Sequence, residues 1–232
     1  MLYPIELRAR AKYYPALRPL RTESPDSARA AAPSYPFDMT GPIETEIKIP
    51  MHDGAGPARL LLEQHGYRVT VPRTLQVDQV FDFSDGALRE SGRLLRLRLE
   101  KAPSENSAAI LTYKGPVLSA GLHKSREELE TSVADGGTLD KVLERLGFVP
   151  SFRYEKYRTT FQASGEPGLV ALDETPIGVF LELEGPAYWI DRTALQLGFG
   201  PRDYVTASYS ALYRTFRESH EGPPDMLFGE EP

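Results

Sequence analysis

Residues 43–49 read Ile-Glu-Thr-Glu-Ile-Lys-Ile, and this alternation constrains the fold more than any other stretch. A strand has a side-chain period of two, so Glu44, Glu46 and Lys48 project from one face, and Ile43, Ile47 and Ile49 from the other. The isoleucines need a core. On a single strand the charged face would simply be solvated. The pattern recurs, however. Leu95, Leu97 and Leu99 alternate with Arg96 and Arg98, and Lys114 ends a strand expected over 109–114. Arg126, Glu128 and Glu130 share a face over 124–131, as do Lys156 and Arg158 over 154–161. Asp173 closes a short strand, 169–173, and Glu182 and Glu184 alternate with Leu181 and Leu183. Together these faces carry seven acidic and seven basic residues, balanced although the 232-residue chain has a net charge of −6.

About eight strands of this kind need a partner for each apolar face. Helices are expected over about 53–66, 138–146, 187–197 and 208–216. Asp53 and Thr138 are the expected N-caps, Pro57 suits a first turn, and Gly66 and Gly147 are the expected stops. A strand over about 75–83 ends in the turn Ser84-Asp85-Gly86; 103–107 is a turn; Gly115-Pro116 is expected to break the strand before it. If the helices cover the outside of a closed sheet, the charged faces line its lumen. A barrel of about eight strands encloses one small ligand. Unpaired buried charges cost several kcal/mol each, so such a lining persists only if the charges pair or meet a charged ligand. Arginine and lysine suit phosphate. Clustered carboxylates suit hard divalent cations such as Mg2+ or Mn2+, which bridge to phosphate oxygens. Both together imply a metal-bound polyphosphate.

Composition narrows the classes. At 41% hydrophobic residues the chain can bury one sizeable core or two small ones. The acidic balance argues against a non-specific nucleic-acid binder. The absence of cysteine excludes disulfides and thiolate metal sites. No apolar run approaches the roughly 20 residues of a membrane span, and the start lacks a secretory apolar stretch, so a cytoplasmic protein is expected. Residues 1–42 hold seven prolines and no sustained period, and read as disordered, with Met39 as an alternative start. Residues 43–217 form the expected domain, and 218–232 a flexible tail. His52, His65, His123 and His220 have no metal-ligand spacing and are assigned to surface or packing. Trp189 reads as core, Tyr113 as outer-face packing, and Asp53-Gly54-Ala55-Gly56 lacks the Lys-Ser/Thr of a P-loop.

The ordered blocks resemble the CYTH superfamily, the triphosphate tunnel metalloenzymes. Glu44-x-Glu46-x-Lys48 matches the family's opening strand. The likeness continues through Asp78 and Asp82, Leu95-Arg96-Leu97-Arg98, Thr112-Tyr113-Lys114-Gly115-Pro116, Ser125-Arg126-Glu127-Glu128-Leu129-Glu130, Lys156-Tyr157-Arg158, Leu172-Asp173 and Phe180-Leu181-Glu182-Leu183-Glu184. It spans roughly residues 43–215. The resemblance implies an α+β fold: a closed eight-stranded antiparallel tunnel with a charged lumen and helices outside. It implies Glu44, Glu46, Glu182 and Glu184, with Asp173 or Glu130, as ligands of Mg2+ or Mn2+. Arg96, Arg98, Lys114, Arg126, Lys156 and Arg158 would grip the triphosphate, with Arg126 and Lys48 taking part in catalysis. Lys48, beside Glu44 and Glu46, is better placed as a phosphate contact than as a base. The implied substrates are ATP, thiamine triphosphate or tripolyphosphate, and a homodimer is allowed. The ending Ala207-Ser208-Tyr209-Ser210-Ala211-Leu212 is most like proteins grouped with the class IV adenylate cyclases, so ATP cyclisation is the leading activity and triphosphate hydrolysis the alternative. A non-catalytic polyphosphate-binding module is a further reading. Such a module would be expected to have lost the metal carboxylates, and all four glutamates are present.

Overall fold

The computed structural model describes residues 42–101 and 108–229. The expectations for residues 1–41, the Met39 start, the turn at 103–107 and the last three residues lie outside the described residues. Eight strands carry the fold: β1 (Ile43–Pro50), β2 (Arg68–Asp82), β3 (Leu94–Lys101), β4 (Ala108–Ala120), β5 (Lys124–Val133), β6 (Val149–Gln162), β7 (Leu169–Thr175) and β8 (Gly178–Glu184). They close into a barrel in the order β1-β5-β4-β3-β2-β6-β7-β8, antiparallel at every step. Among the described residues there are five α-helices: α1 (Ala55–Gln64), α2 (Ala87–Glu90), α3 (Gly136–Arg145), α4 (Ala187–Gln196) and α5 (Tyr209–Ser219).

The outward faces of β1, β7 and β8 supply Ile47, Ile49, Leu172, Leu181 and Leu183, which pack under Leu62 of α1 and Trp189 and Ile190 of α4. Trp189 is wholly buried. It lies so close to the β7 approach that a Cβ at Gly168 would stand 2.4 Å from its ring. On the opposite wall Phe81, Leu97 and Ala109 pack against Leu143 of α3. A third cluster is of another kind. Tyr154 and Phe180 share the inward parity of Lys156 and Glu182, and they pack against Tyr209 and Tyr213 of α5. One end of the lumen is therefore stopped by aromatic rings, and the charges occupy the rest.

Several local expectations change. Asp53 does not cap α1: Gly54, at φ 87°, takes the position and no side-chain cap bond forms. Only Leu62 of the three adjacent leucines is buried, and Leu60 is exposed. The α3 cap is Asp135, whose carboxylate accepts from the Thr138 amide at 2.9 Å, so the helix starts earlier than Thr138 suggests. Gly115-Pro116 does not end β4. The strand runs on through a register shift between Lys114 and Val117, the kind of bulge that accommodates a residue with no N–H. The short α2 was not foreseen; its first turn is held by Asp82, which accepts from the amides of Phe83, Leu88 and Arg89. The segment expected to be loose after residue 218 docks instead: Met226 is wholly buried and exchanges backbone hydrogen bonds with Arg153 and Glu155 of β6.

Candidate active site

The strand register places opposite charges side by side. Glu44 lies across from Arg126, Lys48 from Glu182, Lys114 from Glu128, Asp78 from Arg98, and Arg158 from Asp173. Directly opposed charges of opposite sign stabilise a sheet. Here the pairs also point into the barrel, where all of these residues but Asp78 and Asp173 line a cavity of about 490 Å³. That volume is within the range of small-molecule sites. Eight cations and six carboxylates line it. All of the sequence-expected residues are among them except Asp173.

On the acidic side, Glu46 accepts from Lys48 at 3.1 Å and from Lys124 at 2.7 Å, and Glu182 lies 2.9 Å from Lys48 and 2.7 Å from Arg158. Burial pushes the Glu46 carboxyl up, but Lys48 and Lys124 outweigh it and hold the group at about 2. Glu184 behaves in the opposite way. Burial, reinforced by the neighbouring Glu182 and Glu44 carboxylates, overcomes Arg158 and lifts its carboxyl to about 8. Glu44 accepts from Lys114 at 2.7 Å. Glu130 stands at the rim, its side chain 45% exposed, 3.2 Å from Arg96. Asp173 is apart from these, wholly buried behind the lining. Its oxygens accept from Lys156 at 2.8 Å, from two Arg158 nitrogens at 2.7 Å and from the Tyr209 hydroxyl at 2.7 Å. Those four bonds leave it little capacity for a cation.

The cations divide by partner. Burial works against the Lys48 charge, but Glu182 and Glu46 on either side hold its proton firmly, well above the usual lysine range. Lys156 is pulled the other way: burial and the adjacent Arg158 bring it down to about 8 despite Asp173. Arg96 and Arg98 rest on the buried Asp78, at 3.3 and 2.8 Å. Among the described residues, Arg126 makes no ion pair within 4.0 Å. Its guanidinium donates instead to the carbonyls of Gly115, Gly92 and Lys114 at 2.9–3.2 Å. It is thus fixed in place with its charge uncompensated by direct contact.

Three contributors, Lys124, Tyr154 and Tyr209, escaped the sequence reading, and Asp78 entered it through the family likeness without a role in the site. Lys124 and Tyr154 share the parity of Arg126 and Lys156, and Asp78 that of the expected β2 face, so alternation extended by one step would have found all three. Tyr209 sits on a helix, where no strand period applies; the Nζ atoms of Lys48 and Lys156 lie 5.3 and 5.0 Å from its ring centroid.

The donor set suits a hard divalent cation: carboxylate oxygens only, with Glu182 and Glu44 close enough to Glu184 to raise its proton affinity. Among the described residues no three acidic or imidazole groups already surround one point. Magnesium does not need such a cage, since it takes one or two carboxylates and completes its shell with water and substrate phosphates.

Residues 42–187 match the family model described as the CYTH domain. A Methanocaldococcus jannaschii protein provisionally named an adenylate cyclase is 31% identical over 144 residues, covering 61% of this chain and 76% of its own. A Vibrio parahaemolyticus structure, also provisionally described as an adenylate cyclase, superposes with a TM-score of 0.63 at 20% identity, over 75% of this chain and 99% of that one. A Hippeastrum protein, described as an adenylyl cyclase candidate with a dominant triphosphatase activity, gives a TM-score of 0.54 at 19% identity, over 75% and 95% of the two chains. Among the described residues no helix is long and apolar enough to cross a membrane.

Proposed function

The chain belongs to the CYTH domain family, and from that premise we propose that it cleaves a triphosphate inside the barrel with the help of Mg2+ or Mn2+, by attack of water on the terminal phosphorus. The observation that carries this reading is the single inward-facing set of eight cations and six carboxylates around a cavity of ligand size. Without substrate the two signs neutralise each other. A triphosphate would take over the cations from the glutamates, and the freed glutamates would take the divalent cation. The cost of burying the charges is already met by folding, so binding exchanges one set of ion pairs for another.

In this reading Arg126 is the first contact, because it has no carboxylate to give up. Arg96, Arg98, Lys114 and Arg158 grip the phosphate oxygens, and Asp78 and Asp173 act behind them as positioning residues. Lys48 keeps its proton and contributes charge, as does Lys124. Lys156 is brought down to about 8, so it suits proton acceptance from water better than Lys48, whose proton Glu182 and Glu46 hold. Glu44, Glu46, Glu182 and Glu184 would hold the cation, which supplies charge stabilisation at the phosphoryl oxygens.

Hydrolysis is placed ahead of ATP cyclisation because of the lining. Apart from Pro42, Ile43 and Leu94 it is charged or hydroxyl-bearing. The Tyr209 hydroxyl is committed to Asp173, and its ring lies within 5.0–5.3 Å of the Lys156 and Lys48 ammonium groups, so it is not free to serve a nucleobase. Cyclisation remains the second reading, favoured by the name of the Methanocaldococcus jannaschii relative. The deciding experiment supplies ATP, thiamine triphosphate and tripolyphosphate in parallel with Mg2+ or Mn2+. Orthophosphate without cyclic AMP supports hydrolysis, and cyclic AMP with pyrophosphate supports the second reading. No product from any of the three would overturn both.

A further inference from the structure

A second cavity, about 450 Å³, adjoins the tunnel and shares Leu94, Arg126 and Ser208 with it. It is bounded by α2, the start of β6 and α5. Five arginines line it: Arg89, Arg93, Arg126, Arg214 and Arg217. Among the described residues none of the five makes an ion pair with a carboxylate within 4.0 Å. The one acid in the lining, Asp82, is spent on the backbone amides of Phe83, Leu88 and Arg89. The contrast with the tunnel is sharp, since there every cation but Arg126 is in an ion pair with a carboxylate. In a chain of net charge −6, five arginines around one cavity with a single carboxylate, Asp82, among them are a local excess that the composition does not explain. A concave wall of one sign focuses the field and raises the local concentration of the opposite ion. Guanidinium forks match phosphate oxygens in geometry as well as charge.

We propose that this arginine vestibule is a second anion site, joined to the tunnel at Arg126, that binds one further phosphate-type group. The inference rests on the triphosphate reading of the tunnel. The group has two sources of the same chemistry: the next phosphoryl unit of a substrate chain longer than three phosphates, or the free pyrophosphate left when a triphosphate is hydrolysed in the tunnel. In both cases Arg126, which belongs to both cavities, hands the anion from one to the other.

The test uses the full chain carrying Arg214→Gln and Arg217→Gln together. Both residues are exposed on α5, so the fold does not depend on them. Affinity is measured at fixed ionic strength for tripolyphosphate, linear tetraphosphate and pyrophosphate. If the substrate's own end occupies the vestibule, tetraphosphate binding weakens about tenfold, the loss of one charge-assisted contact, and tripolyphosphate changes less than twofold. If released pyrophosphate occupies it, pyrophosphate binding and product inhibition weaken to that degree while both longer chains are unaffected. Equal affinities in variant and wild type for all three anions would overturn the proposal. So would a uniform loss across all three, which is general electrostatic attraction rather than a site. A wild-type protein that binds pyrophosphate through these arginines, yet binds no triphosphate, would leave the vestibule standing and remove the tunnel reading.

Discussion

Replacing Asp173 by asparagine probes the structural logic of the lumen at one atom pair. The carboxylate receives four hydrogen bonds: Arg158 Nε on Oδ1, and Lys156 Nζ, Arg158 Nη2 and the Tyr209 hydroxyl on Oδ2. An amide keeps the shape but puts an NH2 at one of those positions. In the better orientation it faces Arg158 Nε, and in the worse it faces three donors. Either way Lys156 and Arg158 lose a full counter-charge in a buried setting. Breaking a buried ion pair from one side costs about 3–5 kcal/mol. For a domain of this size that corresponds to a fall in melting temperature of about 6–20 °C. Thermal melting by circular dichroism, with and without tripolyphosphate and Mg2+, is the assay. The deficit is expected to narrow in the presence of ligand, because the phosphate oxygens restore negative charge beside the same two cations. A loss below about 1 kcal/mol would refute the assignment of Asp173 as their counter-charge. A deficit unchanged by saturating ligand would refute the idea that the anion reaches them.

Glu184 gives the pH test. Its carboxyl is raised to about 8, so between the unfolded value of 4.5 and about 8 the folded state holds a proton that the unfolded state has lost. Stability contributed by this group is therefore present at low pH and lost as pH rises through that window. With a chelator present, denaturant titrations should show Glu184→Gln gaining on wild type from pH 5 to 8 and levelling off above; a flat difference would contradict it. Packing gives another. Gly168→Ala forces a Cβ to 2.4 Å from the Trp189 ring and 2.7 Å from the Glu184 carbonyl, and should cost about 1–3 kcal/mol. Gly56→Ala in α1 meets nothing within 4 Å and should stabilise by about 0.5–1 kcal/mol; equal melting temperatures for the two variants would refute the packing account.

Most of the barrel was legible because a period of two survives in any strand that is greasy on one side and charged on the other. β8 was read at its true bounds, Gly178–Glu184, for that reason. The reading failed where the signal is not periodic. The cap of α3 depended on which of two polar residues the chain turns at. β4 continues through Gly115-Pro116 because a bulge absorbs the missing donor. Tyr209 reaches Asp173 from a helix 36 positions away in sequence, a contact that only tertiary packing creates. The docking of Met226 on β6 is of the same kind. The sequence also balanced the charged faces at seven against seven, but it could not distinguish the acids that line the cavity from Asp173 and Asp78, which lie behind it and fix the arginines.

The central claim is that the charged lumen receives a triphosphate together with a divalent cation. Its most direct test is the melting temperature of the wild-type chain titrated with tripolyphosphate at constant Mg2+. At a ligand concentration 100-fold above Kd, binding to the folded state adds about 2.7 kcal/mol, a rise of about 5–11 °C. That rise, saturating with ligand and reduced by a chelator, is the predicted result. A melting temperature that does not move at any tripolyphosphate concentration would mean that the inward charges serve only one another, and would contradict the account.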